Sequence, residues 1–201
     1  MKKVIINCFL ILLAISANAQ LKFGAKAGLN YSTLSYNLEG EDLDEDLETP
    51  SGIGYHAGVY LKKSFSDKIG LQPELVVSMR TLSESEDGAK YEETYTYIDI
   101  PVMLDYNLSE KLSLQVGPQL SLLGAHKWKY TYDGETESES STEGLNSMNF
   151  CLAVGGTFDT GNGLNFGVRY QRGLNSIYED IEGLTVNWNV VQLSVGYSFI
   201  K

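Results

Sequence analysis

The chain has 201 residues, 43% hydrophobic and 20% charged, with 26 Asp and Glu against 15 Lys and Arg and a formal charge of −11. This acid excess excludes nucleic acid as a partner, because phosphate binding needs concentrated Lys and Arg. Past the first residues no apolar run reaches the roughly 17 residues that a spanning helix needs, so a helical membrane bundle is excluded too.

Lys2 and Lys3, the apolar run around Cys8 to Ala17 and the small-x-small site Ala17-Asn18-Ala19 read as a cleaved secretory signal over residues 1–19. Cys8 lacks the context of a lipidated first residue. Residues 20–201 then form one domain, with no linker or change of composition. Removing Lys2 and Lys3 takes the formal charge from −11 to about −13 and leaves one thiol, Cys151, so no internal disulfide can form.

The domain alternates apolar and polar residues, the period-two signature of strands with one apolar and one polar face. A first strand over about Phe23 to Leu34 puts Phe23, Ala25, Ala27, Leu29 and Tyr31 outward and Gly24, Lys26, Gly28, Asn30 and Ser32 inward. A long acidic segment follows. The second strand, near Gly54 to Phe65, turns Tyr55, Ala57, Val59 and Leu61 outward against His56, Gly58, Tyr60 and Lys62, and ends in the tight turn Ser66-Asp67-Lys68. The third, about Ile69 to Thr81, sets Leu71, Pro73, Leu75, Val77 and Met79 against Gln72, Glu74, Val76, Ser78 and Arg80. After a second acidic loop, the fourth sets Ile98, Ile100, Val102, Leu104 and Tyr106 against Tyr97, Asp99, Pro101, Met103 and Asp105.

The turn Ser109-Glu110-Lys111 leads to a fifth strand with Leu112, Leu114, Val116, Pro118, Leu120 and Leu122 outward. The stretch Tyr132 to Gly144 is of low complexity and reads as a mobile loop. Phe150, Leu152, Val154 and Phe158 mark a sixth strand, with Cys151 inward as a small filler. The turn Asp159 to Gly163 gives way to a seventh strand, with Leu164, Phe166, Val168 and Tyr170 outward and Arg169 inward. A fourth acidic loop precedes the closing strand, where Val191, Leu193, Val195, Tyr197 and Phe199 oppose Val190, Gln192, Ser194, Gly196 and Ser198. Prolines 73, 101 and 118 remove ladder donors, so bulges are expected at them.

Eight strands with three short turns at one end and four acidic loops at the other predict an all-β fold: an eight-stranded antiparallel up-and-down transmembrane β-barrel. Short turns face the periplasm, and long acidic loops, with most of the acids in 39–48, 84–93, 133–143 and 179–182, face outward. Tyr31, Tyr55, Tyr95, Tyr106, Tyr170 and Phe199 suit interfacial girdles. A soluble lipocalin-like barrel would share the alternation with its apolar face inside. The secretion signal, the interfacial aromatics and the charged polar face decide for the membrane form.

The inward charges Lys26, His56, Lys62, Glu74, Arg80, Asp99, Asp105 and Arg169 share a lumen just wide enough for side chains to fill. Charges so confined must pair, and the expectation is a salt-bridged interior that holds the barrel shut. No catalytic set stands out, since nothing in the spacing joins Ser121 to His126 as a hydrolase would require. Asp42-x-Asp44-x-Asp46 begins like a calcium loop, but Leu47 stands where Gly is needed and Ile53 where Glu is. Asp42, Asp44 and Asp46 are therefore read as a loose divalent-cation or partner segment, with no specific metal and no cofactor.

Five segments together resemble the PorT-like or porin-family barrels, relatives in fold of the OmpA-type transmembrane domain: Phe23-Gly24-x-Lys26-x-Gly28-x-Asn30-x-Ser32; Ile98-Asp99-Ile100-Pro101 with Tyr106; Gly117-Pro118; Arg169-Tyr170 leading to Gly173-Leu174; and Gly196-Tyr197-x-Phe199. The resemblance implies an integral outer-membrane protein of a diderm bacterium, in contact with outer-membrane lipid. It also implies insertion by the barrel-assembly machinery through the last strand, although Ile200 and Lys201 follow the terminal aromatic. The function expected is a non-enzymatic envelope barrel that meets an extracellular or envelope protein through its acidic loops. A small transport barrel and a secretion accessory are the alternatives.

Overall fold

The computed structural model describes residues 21–38, 41–42, 49–86, 88–179 and 183–199. The signal segment 1–19, Asp44, Asp46, Ile200 and Lys201 lie outside the described residues. The elements in chain order are β1 (Leu21–Leu38), β2 (Glu41–Asp42), β3 (Ser51–Ser64), β4 (Ile69–Glu86), β5 (Ala89–Asn107), β6 (Leu112–Tyr132), β7 (Glu135–Ser140), β8 (Met148–Asp159), β9 (Leu164–Gly173) and β10 (Leu184–Ser198). Eight of these form an antiparallel ring in the order β1-β3-β4-β5-β6-β8-β9-β10, and β10 closes on β1 from Gly24↔Ser198 to Leu38↔Leu184. Closure leaves no free edge at membrane depth, as a medium without water requires. The short β2 pairs with β1, and β7 pairs with β6.

The outward residues are aliphatic and exposed over a limited height. On β4 this apolar face runs from Ile69 to Met79. Ten residue steps at ~3.4 Å, tilted by ~40°, cover ~26 Å along the axis, close to the ~25 Å apolar band of outer-membrane barrels. Tyr31, Tyr55, Tyr106, Tyr170 and Phe199 are exposed near the borders of the band. Tyr95 is not among them: it lies on the inward face of β5 with Tyr97 and Asp99 and is buried.

Two of the periplasmic turns share one construction. The Ser66 hydroxyl accepts bonds from the amides of Lys68 and Ile69, and the Ser109 hydroxyl from those of Lys111 and Leu112. The outer end differs from the loops that composition suggested. β4 and β5 extend through the second acidic segment to a turn at Gly88, with Glu86 opposite Ala89. The third segment is a hairpin whose turn, Asp133-Gly134, has φ of 48° and 81°, the geometry this dipeptide favours in two-residue hairpins. A polar, repetitive composition concealed these strands, which find their partners along β6 rather than in a core. In the fourth segment, Asn146 N–H donates to Ile177 O and Ile177 N–H to Val186 O, folding Leu145 and Ile177 inward as a lid.

None of the three prolines shifts the register. Pro73 faces Val102, Pro101 faces Gln119 and Pro118 faces Leu152. The ladder omits the pairs that follow Pro73 and Pro101 and resumes in phase, and the β6–β8 ladder runs unbroken through Pro118, so the missing donors are absorbed without a bulge. The bulge on this sheet lies between Thr96 and Tyr97, where Gly124 of β6 is left without an opposite residue.

Candidate functional site

The lumen is filled in layers. At the periplasmic end a vestibule of about 360 Å³ opens among the turns, walled by Lys22, Lys26, Tyr60, Lys62 and Arg169. Tyr60 narrows it, its hydroxyl held by Ser198 at 2.9 Å and by the Asn165 amide at 2.9 Å.

Above the vestibule lies the first ionic layer. Glu74, its side chain fully buried, accepts both guanidinium nitrogens of Arg169 at 2.9 and 2.7 Å, and Lys26 donates to the same carboxylate. Gln72 donates to Glu74 at 2.8 Å, and Arg169 also donates to Gln115 at 2.9 Å. Beside it, Asp105 accepts from Gln115 at 2.9 Å and from Lys62 at 3.3 Å. One carboxylate on β4 takes a cation from β9, on the opposite wall, and another from β1, and so ties the ring across its diameter. The bidentate Arg contact fixes both groups in orientation as well as charge.

His56 anchors the adjoining wall. Asn30 donates its amide to Ser78 and Met79 O, so its Oδ1 is an acceptor; it receives Gln192 at 3.0 Å and His56 Nδ1 at 2.8 Å. His56 therefore carries its proton on Nδ1 and accepts from Ser194 at Nε2, 3.0 Å away. Gly28 makes room for this ring: a Cβ there would sit 1.8 Å from Leu193 O and 2.9 Å from His56 Cε1. Gly28→Ala is expected to lower stability by about 1–3 kcal/mol through overpacking, read as a reduced urea midpoint for the refolded barrel.

Higher still, Arg80 is fully buried and donates from one nitrogen to Asp99 and Ser121, both at 3.0 Å. Its other two nitrogens have no hydrogen-bond partner among the described residues, and the guanidinium lies 4.3 Å from the Tyr97 ring centroid and 5.6 Å from that of Trp188. Ring faces take the place of acceptors for the remaining charge. Trp188, 1% exposed, meets Tyr95 and Tyr97 edge-on and donates from its indole to Tyr97 at 3.1 Å. Leu34, Leu82, Val186, Val190, Leu145 and Ile177 complete this apolar cluster over the lumen.

All eight charged or titratable residues named from the sequence lie on the inner wall: Lys26, Glu74 and Arg169 in one group, Lys62 with Asp105, Arg80 with Asp99, and His56 in the hydrogen-bonded network. Asp42 is described only through its backbone pairing with Asn37. Ser121 is held by Arg80 and Gln119, whereas His126 is bonded to Ser141 O and rests on Tyr95, so the two do not form a pair. Cys151 is buried, its thiol 3.9 Å from Ser121. Of the aromatic layer, alternation places Tyr97 inward but misses Tyr95 and Trp188, although the signal for Trp188 was present. Trp188 has the same parity as Val190 and Gln192, and extending the closing strand by two residues would have placed it inside.

The family of the outer membrane protein beta-barrel domain matches residues 16–179. The chain belongs to that family. It is an integral protein of the bacterial outer membrane, and its lipid-facing band is the surface described above. Among solved structures, Neisserial surface protein A is 11% identical, with 88% of this chain and 97% of that one covered and a TM-score of 0.52. Ail of Yersinia pestis is 17% identical, with 89% and 99% covered and a TM-score of 0.44. OprG of Pseudomonas aeruginosa is 13% identical, with 92% and 98% covered and a TM-score of 0.40. At these identities the likeness to the Neisserial barrel is one of fold. No curated protein matches the sequence.

Proposed function

We propose that this outer-membrane barrel is closed along its axis, catalyses no reaction, and works as an envelope protein through its acidic outer surface. The observation that carries the reading is the double closure of the lumen: the Lys26–Glu74–Arg169 layer below, and Trp188 packed edge-on against Tyr95 and Tyr97 beside Arg80 above. An eight-stranded barrel has no bore left once its inward side chains are this large. The outer ribbon supports the second half, since β4 to β7 carry paired strand well beyond the apolar band, at the cost of ordering a polar segment that no core requires.

Within the family, Ile98-Asp99-Ile100-Pro101 and Gly196-Tyr197-x-Phe199 support a place among the PorT-like relatives. Export on the 1–19 signal and insertion through β10 by the barrel-assembly machinery follow from that placement. Osmotic swelling of proteoliposomes in arabinose tests the closed lumen. Rates equal to those of empty liposomes are expected, and rates that rise with protein content would favour a transport barrel.

A further inference from the structure

Above the membrane, β4, β5, β6 and β7 form a ribbon with two unlike faces. Directly opposed residues give one row of Glu84, Tyr91, Tyr130 and Glu137 and a second of Leu82, Glu93, Trp128 and Glu139. Both rows continue the inner wall of the barrel, because the next row down is Arg80, Tyr95 and His126. The alternate rows are Ser, Thr and Lys-rich, as in Ser85, Lys90, Thr131 and Thr136.

The bulge sets this division. Unbroken alternation from Ser121 and Leu123 would turn Lys127 and Lys129 toward the mouth. The unopposed Gly124 moves the parity by one and places Trp128 and Tyr130 there instead.

The face is open and negative. Tyr91 and Tyr130 are 43% and 37% exposed, and Tyr91 lies parallel to Trp128 with centroids 6.2 Å apart. Glu84, Glu137 and Glu139 are exposed beside them and make no ion pair among the described residues. His126 Nε2 has no hydrogen-bond partner among the described residues and is 3.6 Å from Glu93.

Aromatic faces flanked by carboxylates attract ammonium and guanidinium groups and repel anions. The two rows are ~7 Å apart, the distance between alternate side chains of an extended chain. Resting on the reading that the outer surface is the working one, we propose that this face receives an extended segment of another protein with Lys or Arg at alternate positions, each cation lying over Tyr91, Trp128 or Tyr130 beside a glutamate.

The test uses the folded chain in nanodiscs and fluorescein-labelled nine-residue peptides: Lys alternating with Thr, the same residues in two blocks, and Glu alternating with Thr. Saturable binding of the alternating Lys peptide is expected, with the block isomer weaker and the Glu peptide unbound. Tyr91→Thr with Trp128→Thr leaves the charge intact and should weaken binding about tenfold. Heat-modified gel migration reports that each barrel is folded. Equal affinity in the aromatic double variant would overturn the proposal in favour of net charge alone. A folded, non-conducting barrel that ignores the alternating peptide would overturn it while leaving the closed-barrel reading standing.

Discussion

Replacing Glu74 with alanine is expected to destabilise the folded barrel by about 3–5 kcal/mol, the usual cost of breaking a buried ion pair from one side. The reason is local. Glu74 is the shared anion for Lys26 and Arg169, whose side chains are only 8% and 7% exposed, so its loss leaves two nearly buried cations without their counter-charge. Gln115 offers Arg169 an oxygen dipole but no charge. Glu74→Gln keeps the acceptor oxygen and should fall between the alanine variant and the parent. Replacing all three by apolar residues of similar size should be close to neutral, since the desolvation of the charges disappears along with their attraction. Lys62→Ala should have a smaller effect than Glu74→Ala, because Asp105 keeps Gln115 and Lys62 is 19% exposed. Urea unfolding of the refolded protein, followed by its heat-modified migration, measures all four. A Glu74→Ala barrel as stable as the parent would mean that the layer contributes nothing to holding the ring together.

Trp188→Ala is expected to cost a further amount of the same order, about 3–5 kcal/mol, through loss of buried area and the cavity left behind. Tyr95 and Tyr97 would lose their edge contacts, and Arg80 would lose one of the two rings facing its unbonded nitrogens. Phenylalanine at 188 removes the indole donor to Tyr97 along with part of the volume, and should cost about 1–1.5 kcal/mol. Each layer shuts the lumen independently of the other. Trp188→Ala and Glu74→Ala should therefore each stay silent in a bilayer, and the combination should be the first variant to pass ions. A leak from Trp188→Ala alone would show that the ionic layer is not itself a closure.

The ring was legible because period-two alternation is the direct imprint of a wall with lipid on one side and packed polar groups on the other. That imprint placed Lys26, His56, Lys62, Glu74, Arg80, Asp99, Asp105 and Arg169 on the inward face before any contact was visible. It could not say which charges meet. Lys26 and Glu74 come from β1 and β4, and Arg169 from β9 on the far side, so their convergence depends on barrel diameter and stagger. Alternation was also silent above the membrane, where both faces of a strand meet water. There β7 passed for a mobile loop, although Asp133-Gly134 is a hairpin signal in its own right. The parity change at Gly124 has no composition of its own. A single unopposed residue is visible only once β5 supplies the other strand. Tyr95 illustrates the consequence: it reads as a girdle residue, yet it forms part of the lumen cluster.

Single-channel recording of the purified, refolded chain in a planar bilayer tests the closed lumen most directly. With insertion confirmed independently, the parent barrel should give a flat baseline, and the Glu74→Ala, Trp188→Ala combination should give discrete openings. Steady, reproducible openings from the parent would contradict the account and make passage through the barrel its leading function.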